Sequence, residues 1–275
     1  MLRIPVRENV KIAVYDPNPL GTTATCARKT ILMVHGWPLS AKMYEYQQRW
    51  LVNNGYRAIT LDLRGFGQSD APGWGYDYDT LAGDLYRVIC RMNLRNITLV
   101  GFSMGGAVAL RYMRLYRGFG VQKLALLAAA APRFTRTEDF PYGQTWEQAE
   151  DLVQQAKIDR AQLAQDFSRM LLYSPHSEAI KDWFRDIALE ASGIGTVRTA
   201  ISLQDEDCRD DLYSIKVPTG IFHGKQDVVV PYIMGEIQHE AIPGSRLYSF
   251  ENSGHGVFYD ELPQFNRCFL EFLRQ

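Results

Sequence analysis

The pentapeptide Gly101-Phe102-Ser103-Met104-Gly105 places a serine between two glycines. It follows the apolar run Ile97-Thr98-Leu99-Val100 and precedes a stretch of helical character. A G-x-S-x-G motif in a strand–turn–helix setting describes a nucleophile elbow. Small residues at 101 and 105 let the chain turn sharply enough to hold Ser103 in a strained φ/ψ region with its hydroxyl exposed. The following helix, kept thin by Gly106 and Ala107, offers unpaired N–H groups and the positive end of its dipole. The plain alternative is a serine that caps a helix beside glycines.

A serine hydroxyl attacks only with a base beside it, and the base needs an acid to orient it. After an elbow of this kind the partners follow in the order Asp or Glu, then His. Two late tracts fit: Ile221-Phe222-His223-Gly224-Lys225-Gln226-Asp227, and Asn252-Ser253-Gly254-His255-Gly256. Asp227 is expected to orient and His255 to act as the base, so activity should rise with pH as the imidazole loses its proton. No acid directly follows Leu124–Ala131, the other strand able to supply one. His223, at a strand end, reads as structural, and His176 and His239 read as surface or packing residues. The acidic group Asp205, Glu206, Asp207, Asp210 and Asp211 reads as a solvated turn and helix cap, without the spaced histidines of a metal site.

An oxyanion needs two converging donors. The backbone N–H groups of Met104, after the nucleophile, and Trp37, in the loop after Ile31-Leu32-Met33-Val34-His35-Gly36, are the expected pair. His35 precedes the nucleophile and is expected to brace that loop through ring hydrogen bonds. Asp62 and Arg64 are expected to brace the turn around Gly65 and Gly67 by a charge-assisted bond to each other.

These residues need a frame. Strand-length apolar runs occur at 11–15, 30–34, 57–61, 96–100, 123–128, 219–222 and 246–250. Helical stripes lie at 79–93, with Asp77 or Asp79 as N-cap, at 103–116 and at 263–273. The alternation predicts an α/β fold, a doubly wound and mostly parallel sheet. From 134 to 211 no strand is expected, and four helices are: 146–157, 159–172, 177–192 and 196–203. This is far more chain than one crossover needs, so the expected organisation is a core of residues 1–133 and 212–275 with an inserted helical cap at 134–211. Trp146, Phe167, Trp183 and Phe184 either line a pocket there or pack it.

The chain has 275 residues, net charge −1 and 46% hydrophobic residues. Near-zero charge gives no electrostatic case for nucleic acid or an anionic membrane as partner. Cys26, Cys90, Cys208 and Cys268 form no CxxC pair and read as free thiols, and the first residues lack the apolar core of a signal peptide, so a cytoplasmic location is expected.

Taken together, His35-Gly36-Trp37-Pro38, Asp62-Leu63-Arg64-Gly65-Phe66-Gly67-Gln68-Ser69-Asp70, Gly101-Phe102-Ser103-Met104-Gly105-Gly106, His223-Gly224-Lys225-Gln226-Asp227 and Gly254-His255 resemble the α/β-hydrolase superfamily over nearly the whole chain. Within it they are most similar to the arylesterase and cofactor-free haloperoxidase (perhydrolase) group. The resemblance implies esterase activity on small-molecule esters, without metal or cofactor, and peracid formation as a side reaction. Two features depart from that group: a larger, more polar cap and the Ser-Gly-His-Gly form of the histidine loop, shared with other carboxylesterases and C–C hydrolases. A ligand-binding receptor on the same fold is the alternative of another class.

Overall fold

The computed structural model describes residues 1–17 and 29–275. Cys26 lies outside them, and Cys90, Cys208 and Cys268 are free thiols. Eight strands form one sheet: β1 (Leu2–Arg7), β2 (Val10–Tyr15), β3 (Thr30–Val34), β4 (Arg57–Leu61), β5 (Ile97–Phe102), β6 (Val121–Leu127), β7 (Thr219–Gly224) and β8 (Arg246–Phe250). Their order is β1-β2-β4-β3-β5-β6-β7-β8. The pairings of β4, β3, β5, β6, β7 and β8 are all parallel, and the two antiparallel pairings, β1 with β2 and β2 with β4, lie at one edge, so β2 alone runs against the rest. The expected doubly wound, mostly parallel sheet is therefore present, with one strand more than expected. β1 carries Pro5, which removes a ladder donor, and its side chains are mostly exposed. An edge strand tolerates both.

The central strands are buried on both faces, and side chains alternate between two cores. Leu32 and Val34 of β3 join Leu99 of β5 on one face; Ile31 and Met33 join Val100 and Phe102 on the other. Helices α1 (Glu45–Asn53), α2 (Tyr78–Arg91) and α3 (Met104–Leu115) follow β3, β4 and β5. In α2, Leu81, Leu85, Val88 and Ile89 are buried, and Asp77 caps the helix by accepting from the Thr80 N–H at 2.8 Å.

Between β6 and β7 the chain forms α4 (Trp146–Ile158), α5 (Arg160–Leu171), α6 (Glu178–Leu189), α7 (Gly193–Asp205) and the short α8 (Arg209–Leu212). Only isolated bridges interrupt the helices in this stretch. After β7 come α9 (Ile233–Ala241), and after β8 come α10 (Val257–Asp260) and α11 (Leu262–Arg274). Helix α11 buries Phe265, Phe269 and Phe272 against Phe222 of β7. Among the described residues no helix is long and apolar enough to cross a membrane.

Two expectations are corrected by the tertiary contacts. Arg64 does not pair with Asp62. It makes a bidentate pair with Asp84 of α2, Nε–Oδ2 2.6 Å and Nη2–Oδ1 2.7 Å. Asp62 instead accepts from Ala41 N, Gln68 N and the Tyr15 hydroxyl, each at 2.8 Å. Arg64 is fully buried, so it must meet a carboxylate brought in from another element. The acidic group is not solvated throughout either. Asp211 is buried and accepts from Arg111 Nε at 2.8 Å, and Glu206 lies 3.1 Å from Arg111 Nη2. Arg111 sits on α3, about a hundred residues earlier, and anchors this stretch to the sheet.

Candidate active site

Four parallel strands deliver the candidate residues at their carboxyl ends, where an open α/β sheet leaves a crevice. Ser103 follows β5, Trp37 lies beyond β3, Asp227 beyond β7 and His255 beyond β8. β3 and β5 are neighbours in the sheet, and there the strand order departs in two directions.

Ser103 has φ +51° and ψ −122°, a region that costs about 1–3 kcal/mol and persists only where its surroundings enforce it. The enforcement is visible. Its N–H donates to Leu127 O at 2.9 Å, and its carbonyl accepts from Gly106 N at 2.9 Å and Ala130 N at 3.0 Å. A side chain at Gly105 would sit 2.3 Å from the His35 carbonyl oxygen, and one at Gly36 would sit 2.8 Å from Ser103 Cβ. Those two positions let the elbow and the β3 loop approach. Ser103 stands where a capping serine would, but its side chain caps nothing. Its Oγ lies 2.9 Å from His255 Nε2 instead.

His255 Nδ1 lies 2.8 Å from Asp227 Oδ2. Asp227 Oδ1 accepts from the N–H groups of Val229 and Val230, both at 2.8 Å. Those bonds leave Oδ2 for the ring, so Nδ1 carries the proton and Nε2 is left to accept from the serine hydroxyl. Burial opposes charge on Asp227, but the two neighbouring histidines outweigh it and hold its carboxyl well below the usual carboxylate range. The second of them is His223. Its Nε2 donates to Val230 O at 2.8 Å and lies 3.3 Å from Asp227 Oδ2. It has a structural position, as its place at a strand end suggested, but it touches the site.

Among the described residues, the N–H groups of Trp37 and Met104 have no acceptor. Met104 opens α3, where the helix leaves its first donors free. Trp37 is held by its indole Nε1, which donates to Thr196 O of α7 at 3.0 Å. His35 braces this loop as expected: Nε2 accepts from Leu63 N at 3.0 Å and Nδ1 donates to Gly36 O at 2.9 Å. Burial pushes its pKa down, keeping the ring neutral.

Asp260 was not anticipated. Its carboxylate accepts from Gly254 N at 2.7 Å, Tyr173 N at 2.8 Å and Ser174 N at 3.1 Å, and pairs with His176 Nε2 at 2.8 Å. Gly256 N also donates to Leu171 O at 2.6 Å. The loop carrying His255 is thus stitched to the chain after α5. His176 proves to be part of this strap, whereas His239 Nδ1 bonds to the Ser245 hydroxyl near the surface.

Ser103 and Trp37 open into a cavity of about 350 Å³. Of the four aromatic residues considered in the sequence, Phe167 lines it. Phe184 is buried between Trp183 and Phe258, Trp183 packs on Tyr46, and Trp146 is exposed. Sequence reasoning also missed the polar side of this cavity on α4. Its signal was the spacing of Gln148, Asp151 and Gln155 along one helix face.

Comparison with known proteins gives a consistent result. Residues 29–262 match the α/β hydrolase fold family. The AB hydrolase superfamily protein YisY of Bacillus subtilis (strain 168) is 44% identical over 244 residues, covering 89% of this chain and 91% of that protein. An esterase structure from Exiguobacterium antarcticum superposes with a TM-score of 0.91 at 42% identity, covering 97% of this chain and 96% of its own. A bromoperoxidase structure from Bacillus anthracis gives a TM-score of 0.93 at 33% identity, covering 100% and 99%.

Proposed function

Since the chain belongs to the α/β-hydrolase fold family, we propose that this enzyme is a carboxylic ester hydrolase acting through Ser103, His255 and Asp227 and a covalent acyl-enzyme. The observation that carries this reading is the unbroken contact from Ser103 Oγ through His255 to Asp227, at 2.9 and 2.8 Å. In this reading residues 134–211 form a cap over a core of 1–133 and 212–275. The cap contributes Phe167 and Met170 to the cavity and holds Trp37 through Thr196.

His255 Nε2 takes the hydroxyl proton as Ser103 Oγ attacks the ester carbonyl. The developing oxyanion is received by the free N–H groups of Trp37 and Met104, which need no reorganisation because both are fixed by their loops. The protonated imidazole, stabilised by the Asp227 carboxylate, then gives its proton to the departing alcohol. Water repeats the sequence on the acyl-enzyme and releases the acid. A fluorophosphonate should label Ser103, and a nitrophenyl ester should give a burst of product. Ser103→Ala should lose activity on the order of a million-fold; substantial turnover by this variant would overturn the proposal.

A second reading, perhydrolysis, has one supporting observation besides the sequence motifs. No donor among the described residues reaches the Trp37 carbonyl, beside the proposed oxyanion site. That carbonyl is free to accept from hydrogen peroxide as its other oxygen attacks the acyl carbon. His255 takes the peroxide proton and passes it to the departing Ser103 Oγ, releasing a peracid. Acetate with peroxide should then yield a little peracetic acid in the wild type and none in Ser103→Ala. Peracid from the serine-free variant, or none from the wild type, refutes this reading and leaves a plain esterase.

A further inference from the structure

The cavity above Ser103 has two unlike walls. Leu163, Phe167 and Met170 come from one face of α5, and Gln148, Asp151, Leu152 and Gln155 from one face of α4. Both sets follow the spacing that puts side chains on one side of a helix. A ligand in the cavity therefore meets an apolar surface from α5, and two amides and a carboxylate beside Leu152 from α4.

Asp151 is the charge in this lining: among the described residues that line the cavity there is no Lys, Arg or His. It is exposed, and no described residue bonds to it or pairs with it. Its neighbour Glu150 differs, since Gln154 Nε2 and Gln204 Nε2 donate to it at 2.5 and 3.1 Å. A carboxylate left without a protein partner on a binding wall is available to a ligand and imposes a sign on it.

We infer that this site selects esters by charge: an apolar portion against α5 and a cationic or hydrogen-bond-donating end against Asp151 on α4, with anionic esters disfavoured. The inference rests on the ester-hydrolase reading and adds the substrate class to it. Because Asp151 faces water, attraction and repulsion each change apparent affinity about threefold, and the cation-to-anion preference is on the order of tenfold at low salt. The neutral analogue falls between the two.

The test uses nitrophenyl esters with short acyl chains ending in trimethylammonium, tert-butyl or carboxylate, and acetates of alcohols ending in the same three groups. These are assayed with the wild type, Asp151→Asn and Asp151→Lys at low and high salt. In the wild type, kcat/KM should favour the cationic over the anionic ester about tenfold in at least one series, mainly through KM, and high salt should compress the ratio. Asp151→Asn should bring the ratio near one, and Asp151→Lys should invert it. A ratio near one in both wild-type series, or one that neither substitution moves, overturns the charge inference while Ser103-dependent hydrolysis of the neutral ester stands. Failure of the wild type to hydrolyse any of these esters overturns the ester reading and this inference with it.

Discussion

Replacing Asp227 with asparagine perturbs the site at a point where the geometry dictates a direction. Oδ1 accepts two fixed backbone N–H groups, from Val229 and Val230, while Oδ2 accepts from His255 Nδ1. An asparagine has one acceptor oxygen and an NH₂ group that only donates. Turning that NH₂ toward Val229 and Val230 would leave two buried donors without acceptors, at about 1–3 kcal/mol each. The amide oxygen therefore stays with the backbone and the NH₂ faces His255. His223 does not reverse this preference, because its Nε2 proton is committed to Val230 O at 2.8 Å. The imidazole of His255 adapts by moving its proton to Nε2, which then donates to Ser103 Oγ and has no lone pair to receive the serine proton. The expected loss in kcat/KM is roughly 10⁴, the scale found when the same substitution is made in a serine protease, or about 5.5 kcal/mol of transition-state stabilisation. Stability should change little, because both backbone bonds survive. Nitrophenyl acetate kinetics, the rate of fluorophosphonate labelling and a urea midpoint measure the three quantities. A folded variant that turns over and labels within about tenfold of the wild-type rates would refute the tautomer argument. No acid follows β6, where the chain reads Ala128-Ala129-Ala130-Ala131-Pro132, so no rescue is expected from that strand.

Asp260→Asn places a donor among the N–H groups of Gly254, Tyr173 and Ser174 and should loosen the loop bearing His255. kcat should fall on the order of tenfold to a hundredfold with little change in KM; wild-type kcat in the folded variant would show that the strap does not position the base. His35 has its pKa pushed down by burial, so at acid pH the unfolded chain takes up a proton that the folded chain resists. Its contribution to stability is complete above about pH 6.5 and is lost as pH falls below it, by at most ~1.4 kcal/mol per pH unit. Urea midpoints at neutral and mildly acid pH should separate in the wild type and move closer together in His35→Asn; equal separation in both would assign the pH dependence to other groups.

Much of the candidate site was legible because its requirements are local. An elbow needs small residues on both sides of one serine, and β5 and α3 are adjacent in the chain, so Gly101 to Gly105 displays the whole requirement in five residues. Asp227 and His255 were legible for a related reason. Each follows a strand whose apolar run is itself a signal, and a parallel sheet gathers such strand ends at one edge. The bracing role of His35 followed from its place in the same kind of loop.

What stayed hidden was non-local or masked by a local rule. Leu2–Arg7 was not among the expected strands; it contains Pro5, whose missing donor is harmless at an edge position. Arg64 was paired with its near neighbour Asp62, but the fold brings Asp84 to it across the α2 packing, and Asp62 serves three other donors. Asp260, five residues past His255, has no distinguishing mark in the chain; its importance comes from Gly254 on one side and Tyr173 and Ser174 on the other. The polar part of the cavity on α4 is of the same kind, since helix periodicity groups Gln148, Asp151 and Gln155 without saying what they face. Residue type and short-range spacing determined the candidate chemistry here. The partners of buried charges and the walls of the cavity were decided only in three dimensions, because a charge removed from water takes whichever counter-charge the packing of distant elements brings within reach.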